Sequence, residues 1–367
     1  MLKGQSIGVL GGGVAGLSFA ICAADRGARV TVFEQAQHPG EAGAGLQLSR
    51  NGTRVLDAMG IDARQALHPN VPGKVRIHDM STGRQLMRQV QNRPGHAGYL
   101  QAHRADLIAT LVTAAQMRDI TFRPSTPAAI NGLKIAGQSF DRVVRASGIR
   151  GRAAHFTGQV AWRALVPGQG ETTDTRIFIA PGCHLVVYPL RGGQVINLVG
   201  VQNGQTWDAE VRDHVGDPDA FRAAFSQTCA DLQGLLDRVE NVRCRALCAH
   251  TDVSMIGPDG VPSVGDAAQA MLPFVAQGAV MALEDAWSLA AALDGTCSEP
   301  DWANRRAGRR AAVMRTALAN GHVLHEARPW FLPFHRLGMC GLDKLWPGFG
   351  AARLRWIYDY DVVMDFP

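Results

Sequence analysis

Residues 5–16, QSIGVLGGGVAG, decide the fold. The apolar run Ile7–Leu10 suits a buried strand and feeds directly into Gly11-x-Gly13-x-x-Gly16. The pattern predicts a helix from Val14 to Asp25, then a second strand, Arg29–Phe33, ending in Glu34. Strand, glycine turn, helix, strand and acid make up a dinucleotide-binding unit. Gly11 permits the tight turn, Gly13 lets backbone approach a pyrophosphate, and Gly16 lets the helix sit close to the strand. Val14 and Ala15, at the helix start, count with these nucleotide-binding residues. Glu34, 18 residues after Gly16, is placed to accept a ribose hydroxyl. The spacing does not separate NAD from FAD.

A second segment complements the first. Residues 263–287, SVGDAAQAMLPFVAQGAVMALEDAW, read as a short strand, Gly265-Asp266, a Pro/Gly-punctuated loop and an amphipathic helix. Asp266 can accept hydrogen bonds from a polyol chain. Free N–H groups near Gln277, Gly278 and Ala279 carry the positive end of a helix dipole, which stabilises negative charge. Alone, this could be an ordinary buried strand-loop-helix; the glycine motif supplies its partner.

Composition sets the limits. A chain of 367 residues suggests two domains, or one large domain with an inserted lobe. A 46% apolar and 19% charged content is that of a soluble globular protein. The net charge of +5 favours anionic small molecules in a cleft and is too diffuse for nucleic acid. Seven cysteines give no disulfide framework, and Cys244 and Cys248 lack a second pair of metal ligands, so reduced core thiols and no metal are expected. No signal peptide and no bilayer-spanning stretch is read, and a cytoplasmic location is expected.

Between the two motifs, residues 38–49 form a Gly-rich loop in which Leu46, Gln47 and Leu48 alternate as a short strand would; Gly45 and its neighbouring glycines allow close approach to a flat ligand, and Gly45, Leu46 and Gln47 count as cofactor-binding candidates. A helix follows from about Asn51 to Met59, then a hairpin over Val75–Val90 turning at Ser81-Thr82-Gly83. In residues 99–111 a loop feeds a helix with Arg104 in or near its first turn. A cation there opposes the helix dipole, which points to a nearby anion; a solvated Arg is the plain alternative. Strands are predicted at Gln159–Val166, Arg176–Ile179, His184–Leu190 and Val195–Val201, forming an inserted antiparallel sheet. Alternation puts His184, Val186 and Tyr188 on one face, where His184 and Tyr188 could bind and polarise a phenolic or carboxylate substrate. A sheet aromatic and an edge histidine would look the same. Residues 211–249 read as helix then strand, and further helices run from Ala279 to about Leu293 and from about Asp301 to Ala319. The run Arg305, Arg306, Arg309, Arg310 reads as a solvated face. The aromatic, basic tail from Arg328 to Pro367 reads as packed on the nucleotide domain in preference to a membrane surface.

These motifs together resemble the class A FAD-dependent aromatic monooxygenases of the p-hydroxybenzoate hydroxylase fold, nearest to salicylate hydroxylase-like and 6-hydroxynicotinate monooxygenase-like members. The resemblance rests on the glycine fingerprint with Glu34, AGAGLQLSRNGTRVLDAMG, HRADL, FTGQVAWRALVP, HLVVYPLRGG and GDAAQAMLPFVAQGAVMALEDAW, and covers nearly the whole chain. It implies an α/β fold: a Rossmann-type FAD-binding domain in three parts (residues 1–70, 99–157 and 250–300), a substrate lobe from the hairpin 71–98 and the β-sheet 158–249, and a C-terminal helical region, 301–367. It implies FAD, with NAD(P)H and O₂ as co-substrates, hydroxylating a small aromatic acid or phenol through a flavin C4a-hydroperoxide. Gly11, Gly13, Gly16 and Glu34 would hold the adenosine half, Arg104 would contact the cofactor, and Asp266 would bind the ribityl chain. Pro273, Gly278 and Ala279 would lie along the isoalloxazine ring. His184 and Tyr188 match an H-x-x-x-Y pair that faces substrate.

The sequence departs from the family at Ser147, within Arg145-Ala146-Ser147-Gly148, where a carboxylate is usual, and at Gln269 and Val280, where His and Asn are usual. The segment Thr121–Asp141 also reads as short by about one strand. These departures motivate two alternatives: a separate reductase that supplies reduced flavin, or a flavin-binding protein without turnover.

Overall fold

Three Val- and Ile-containing strands, Ser6–Leu10, Arg29–Phe33 and Arg142–Arg145, build most of the nucleotide-binding sheet, where burial on both faces suits such residues. The computed structural model describes residues 1–37, 44–92, 98–149, 154–204, 207, 213–346 and 348–367. Four parallel strands stand in the order Arg142–Arg145, Ser6–Leu10, Arg29–Phe33, Thr121–Arg123. The helix Val14–Ala24 is buried along ten of its residues, so it carries almost no polar face and lies between this sheet and the helix Gly278–Leu293. The strand read at the start of 263–287 shortens to a parallel bridge from Ser263 to Arg145, with Val264 N–H donating to the Arg145 carbonyl at 2.9 Å. That bridge hangs the Gly265-Asp266 turn on the edge of the parallel sheet.

The second sheet has eight strands in the order Asp213–Gly216, Val242–Ala249, His155–Pro167, Val195–Asn203, Cys183–Leu190, Thr175–Ala180, Lys74–Asp79, Gln85–Val90. Neighbours are antiparallel except Thr175–Ala180 against Lys74–Asp79. The hairpin over Val75–Val90 therefore joins the middle-third strands as one sheet. Residues 213–249 hold more than helix then strand: the edge strand Asp213–Gly216, two helices, Pro218–Ala224 and Ala230–Leu236, and then Val242–Ala249. One face of the sheet packs on those two helices through Phe221, Phe225, Leu232 and Leu236. The other face meets the C-terminal helices through Val313, Met339, Leu354 and Ile357. A two-stranded ribbon, Gly45–Leu48 with Leu100–His103, bridges the two sheets. Three very short strands, Ile130–Asn131, Lys134–Ile135 and Gln138–Ser139, fill the segment before Arg142. Among the described residues, no helix is long and apolar enough to cross a membrane. Residues 38–43 of the Gly-rich loop lie outside the described residues.

The basic run on the long helix Glu299–Leu324 is not a solvated face. Arg305 is exposed, but Arg306 and Arg310 are 1% and 0% exposed. The charge pattern misled because the matching acids, Glu284 and Asp285, lie on another helix and are themselves fully buried. Arg306 donates to both carboxylates, at 2.8 Å each, and Arg309 donates twice to Glu284 at 2.7 Å. Burial alone would push the Glu284 carboxyl up; Arg306 and Arg309 more than reverse this and hold it ionised.

Candidate functional site

The glycine loop shows which glycines serve packing and which face open space. Gly11 has φ +115°, and a Cβ there would meet the Ala146 carbonyl oxygen at 2.3 Å. A Cβ on Gly16 would lie 1.9 Å from the Gly11 carbonyl oxygen. Gly13 differs: a Cβ would meet nothing within 4 Å. It stands at the head of the helix Val14–Ala24, which no side chain caps, so the first-turn N–H groups have no side-chain acceptor among the described residues. Glu34 accepts from Gly12 N–H at 2.7 Å and Ala36 N–H at 2.8 Å, which pins the end of the second strand to the loop. Gly13→Ala is expected to leave the stability of flavin-free protein within about 0.5 kcal/mol of wild type, while FAD retention falls at least about tenfold, because the methyl would occupy the pyrophosphate's space. Gly16→Ala should lose both. Thermal melts of flavin-free protein beside flavin release on gel filtration check the contrast.

The second motif closes on the first. Gly265, at φ +65°, lies so near Ala15 that a Cβ would come within 2.8 Å of the alanine methyl. Its N–H donates to Asp285 at 3.0 Å, and its carbonyl accepts from Arg310 at 2.7 Å; Arg310 also donates to the Gln269 carbonyl at 2.7 Å. The buried ion network is therefore a clamp on the turn that carries Asp266. Among the described residues, the half-buried Asp266 carboxyl has no hydrogen-bond donor. Burial pushes it up, against the opposing pull of Arg310, Arg245 and Arg104.

Arg310, Arg245 and Arg104 act on this carboxyl, and Arg163 neighbours the last two. Arg104 opens its helix beside the ribbon, and neither it, Arg163 nor Arg245 has a carboxylate partner among the described residues. Arg163 is held down to about 10 by burial and by Arg245. Its Nε is buried without a partner. Arg163 and Arg245 escaped the sequence reading because each sits on a strand of the eight-stranded sheet, and only the fold aims both toward Arg104.

The helix Gly278–Leu293 also begins uncapped, and a Cβ on Gly278 would meet nothing within 4 Å. The Gln277 side chain is turned away, donating to Ser49 at 2.8 Å and accepting from Asn51 at 2.9 Å; Asn51 donates again to Glu284 at 2.7 Å. Ala276, at φ 52°, makes the turn from Pro273–Val275 into this helix. Val280 is buried against Gly52 and belongs to the core, and Gln269 is 2% exposed with its Oε1 unpartnered. Two uncapped helix starts, two open glycine faces, an acceptor without a donor and three unpaired guanidinium groups fit a long cofactor with a polyol and an anionic pyrophosphate.

A cavity of about 380 Å³ lies between the eight-stranded sheet and the C-terminal helices. His184, Val186, Gln47, Tyr99 and the Pro273–Ala276 turn line it, together with Phe334, Met339 and Leu354 of the C-terminal helices. Tyr188 does not line it. Its hydroxyl lies against Gly45 and bonds to Gln47, which also accepts from Tyr99, and burial pushes the phenol well up. Alternation predicts the common face correctly but cannot see that the Gly45–Leu48 ribbon covers the Tyr188 end of it. His184 bonds instead to His325, Nδ1 to Nε2 at 2.6 Å. His325, at the end of a helix 141 residues away, had no signal in the sequence.

Burial is the main cause that lowers both histidines, His184 well below its ordinary range and His325 to about 4. In the unfolded chain each takes a proton near 6.5, so between pH 6.5 and 4 the unfolded state binds protons that the folded state refuses. Stability is therefore expected to fall as pH falls through this window, His325 contributing up to about 3 kcal/mol. Urea unfolding at pH 7.5 and 4.5 should show this slope, flattened in His325→Gln.

The comparisons agree with this architecture. Residues 9–58 match the NAD(P)-binding Rossmann-like domain family. The chain is 28% identical to the 3-hydroxybenzoate 6-hydroxylase of Polaromonas naphthalenivorans, over 96% of each chain. It is 30% identical to the 3-hydroxybenzoate 6-hydroxylase of Klebsiella oxytoca, over 87% of this chain and 88% of that one. The fold matches a salicylate hydroxylase substrate complex at TM-score 0.79 and 20% identity, covering 99% of this chain and 97% of that one. With this coverage and the paired nucleotide motifs, the chain belongs to the FAD-dependent aromatic monooxygenases, flavoprotein oxidoreductases that hydroxylate aromatic rings with FAD and NAD(P)H.

Proposed function

We propose that this monooxygenase acts on a phenolic ring held in the cavity beside His184, with the phenolic hydroxyl toward that imidazole. The observation that carries this reading is a neutral, buried histidine on an otherwise largely apolar wall, next to the Pro273–Ala276 turn that leads into the uncapped helix. When bound, FAD supplies the redox chemistry linking NAD(P)H oxidation to oxygen transfer. Gly11, Gly13, Val14, Ala15, Gly16 and Glu34 would hold its adenosine end, with Arg104 toward the pyrophosphate. Asp266 would accept from the ribityl hydroxyls. Gly45, Leu46, Gln47, Gly265 and Pro273 would border the ring system, and the N–H groups of Gly278 and Ala279 would stabilise negative charge on it. His184 would accept the phenolic proton, and Val186 and Phe274 would exclude water. Tyr188, bonded to Gln47, would hold the ribbon.

Arg353 is the one guanidinium lining the cavity among the described residues. This supports uncharged phenols alongside hydroxybenzoates as substrates. The test is a panel of both, given to the holoenzyme with NAD(P)H and O₂: a product heavier by one oxygen supports the reading, and uncoupled oxidation without product across the panel overturns it. A separate reductase is the second reading, favoured by Ser147 in place of the usual acid. Direct bleaching of bound flavin by NAD(P)H would rule it out.

A further inference from the structure

We infer that His325 is a positioning residue that fixes the tautomer of His184 and takes its proton out to the protein surface. For its catalytic consequence the inference rests on the phenolic-substrate reading; the arrangement of protons does not.

Both rings are buried, at 4% and 6% exposure, and Phe274 packs against each, with ring centroids 5.8 and 5.6 Å away. Two imidazole nitrogens 2.6 Å apart must share one hydrogen, one as donor and one as acceptor. The other end of His325 decides which. Its Nδ1 lies 2.6 Å from Asn203 Oδ1, an oxygen that also accepts from Gln159 Nε2 at 2.7 Å. Gln159 and Asn203 face each other across adjacent antiparallel strands, so the pair is held in register by the sheet. Gln159 Nε2 also lies 3.4 Å from His325 Nδ1, but the much closer Asn203 oxygen, at 2.6 Å, places the hydrogen on Nδ1. A neutral His325 then presents a bare Nε2, so His184 carries its hydrogen on Nδ1 and leaves Nε2 as the free lone pair. His325 thus does for His184 what a carboxylate does for a catalytic histidine elsewhere, without a second buried charge.

The same line moves a proton with every bond accounted for. The phenol O–H breaks as His184 Nε2–H forms. His184 Nδ1–H breaks as His325 Nε2–H forms. His325 Nδ1–H passes to solvent at the Asn203 end, which is exposed. The phenolate stays in the cavity and both rings are neutral in the opposite tautomers; the same three transfers run in reverse when the product phenolate is reprotonated, which restores the starting tautomers, and no oxidant or reductant is needed. Without His325 the proton would remain as an imidazolium on an apolar wall, where burial opposes it.

The test uses holoenzyme labelled with ¹⁵N-histidine, wild type, His325→Gln and His325→Phe, with His184→Phe for assignment. Expected in wild type are Nδ1–H tautomers at both His184 and His325. The glutamine amide oxygen can still accept, so H325Q should keep the His184 tautomer, whereas H325F should lose it. With a phenolic substrate, H325F should lower kcat about 10- to 100-fold, by analogy with the loss of the outer hydrogen-bond partner of a metal-bound histidine, with KM little changed. H325Q should also fall, because its amide cannot relay the proton. An Nε2–H tautomer at His184 in wild type, the pattern that reversed amides at Asn203 and Gln159 would impose, overturns the inference. So does an H325F enzyme with wild-type kcat. If the tautomers are as expected but no phenol is ever oxygenated, the substrate reading fails and the positioning role stands.

Discussion

Replacing Arg310 with leucine is expected to lower stability by about 3–5 kcal/mol, the cost of breaking a buried ion pair from one side, and to strip the protein of flavin. Arg310 is fully buried and donates to Asp285 and to the carbonyls of Gly265 and Gln269. Leucine would leave two buried carbonyls without that donor and would leave the Asp285 carboxylate with Arg306 as its remaining cation. Because the clamp holds the Gly265-Asp266 turn, the cofactor site should loosen with the fold. Urea unfolding of flavin-free protein measures the first effect, and flavin content after dialysis the second. Arg315→Leu, at an exposed position of the same helix, is the control and should stay within about 0.5 kcal/mol. A wild-type urea midpoint for Arg310→Leu would show that the network does not hold the turn.

His184→Leu should cost product formation about 10²- to 10⁴-fold, the usual range for removing a general base, while flavin still binds and is bleached by NAD(P)H. The substitution removes the one cavity-lining imidazole that is bonded to another buried histidine, and leaves the glycine loop and the Asp266 turn untouched. Product yield per NAD(P)H consumed is the quantity to measure. A loss smaller than about threefold would mean that the phenolic proton leaves by another route.

What could be read from the chain follows from how local each signal is. The parallel sheet, the glycine turn and the uncapped helix at Gly278 are written in short windows, because turn glycines and apolar runs act on their immediate neighbours. The four middle strands and the hairpin of the second sheet are legible within a few residues for the same reason, while the edge strand Asp213–Gly216 is not. Arg306 and Arg310 were misread because a helical charge stripe has the same letters whether it meets water or a buried carboxylate pair. Tyr188 was given to the substrate side because alternation fixes the face of a strand but not what covers that face. His325, Arg163 and Arg245 were invisible, since each acquires its role from a partner on a distant element. No periodicity encodes that.

The contact between Gly265 and Ala15, tied down by Arg310, has a consequence for how the enzyme is made. The chain emerges N-terminus first, so the complete glycine fingerprint leaves the ribosome early. Its matching wall arrives some 250 residues later, counting from Ala15 to Gly265, and the clamp later still. Leu2 N–H donates to Asp294, so a contact just ahead of the first strand also comes from the last third of the chain. Flavin capture is thus a late, post-translational event: truncated chains ending before Arg310 should leave the ribosome colourless, however well their first βαβ unit has formed.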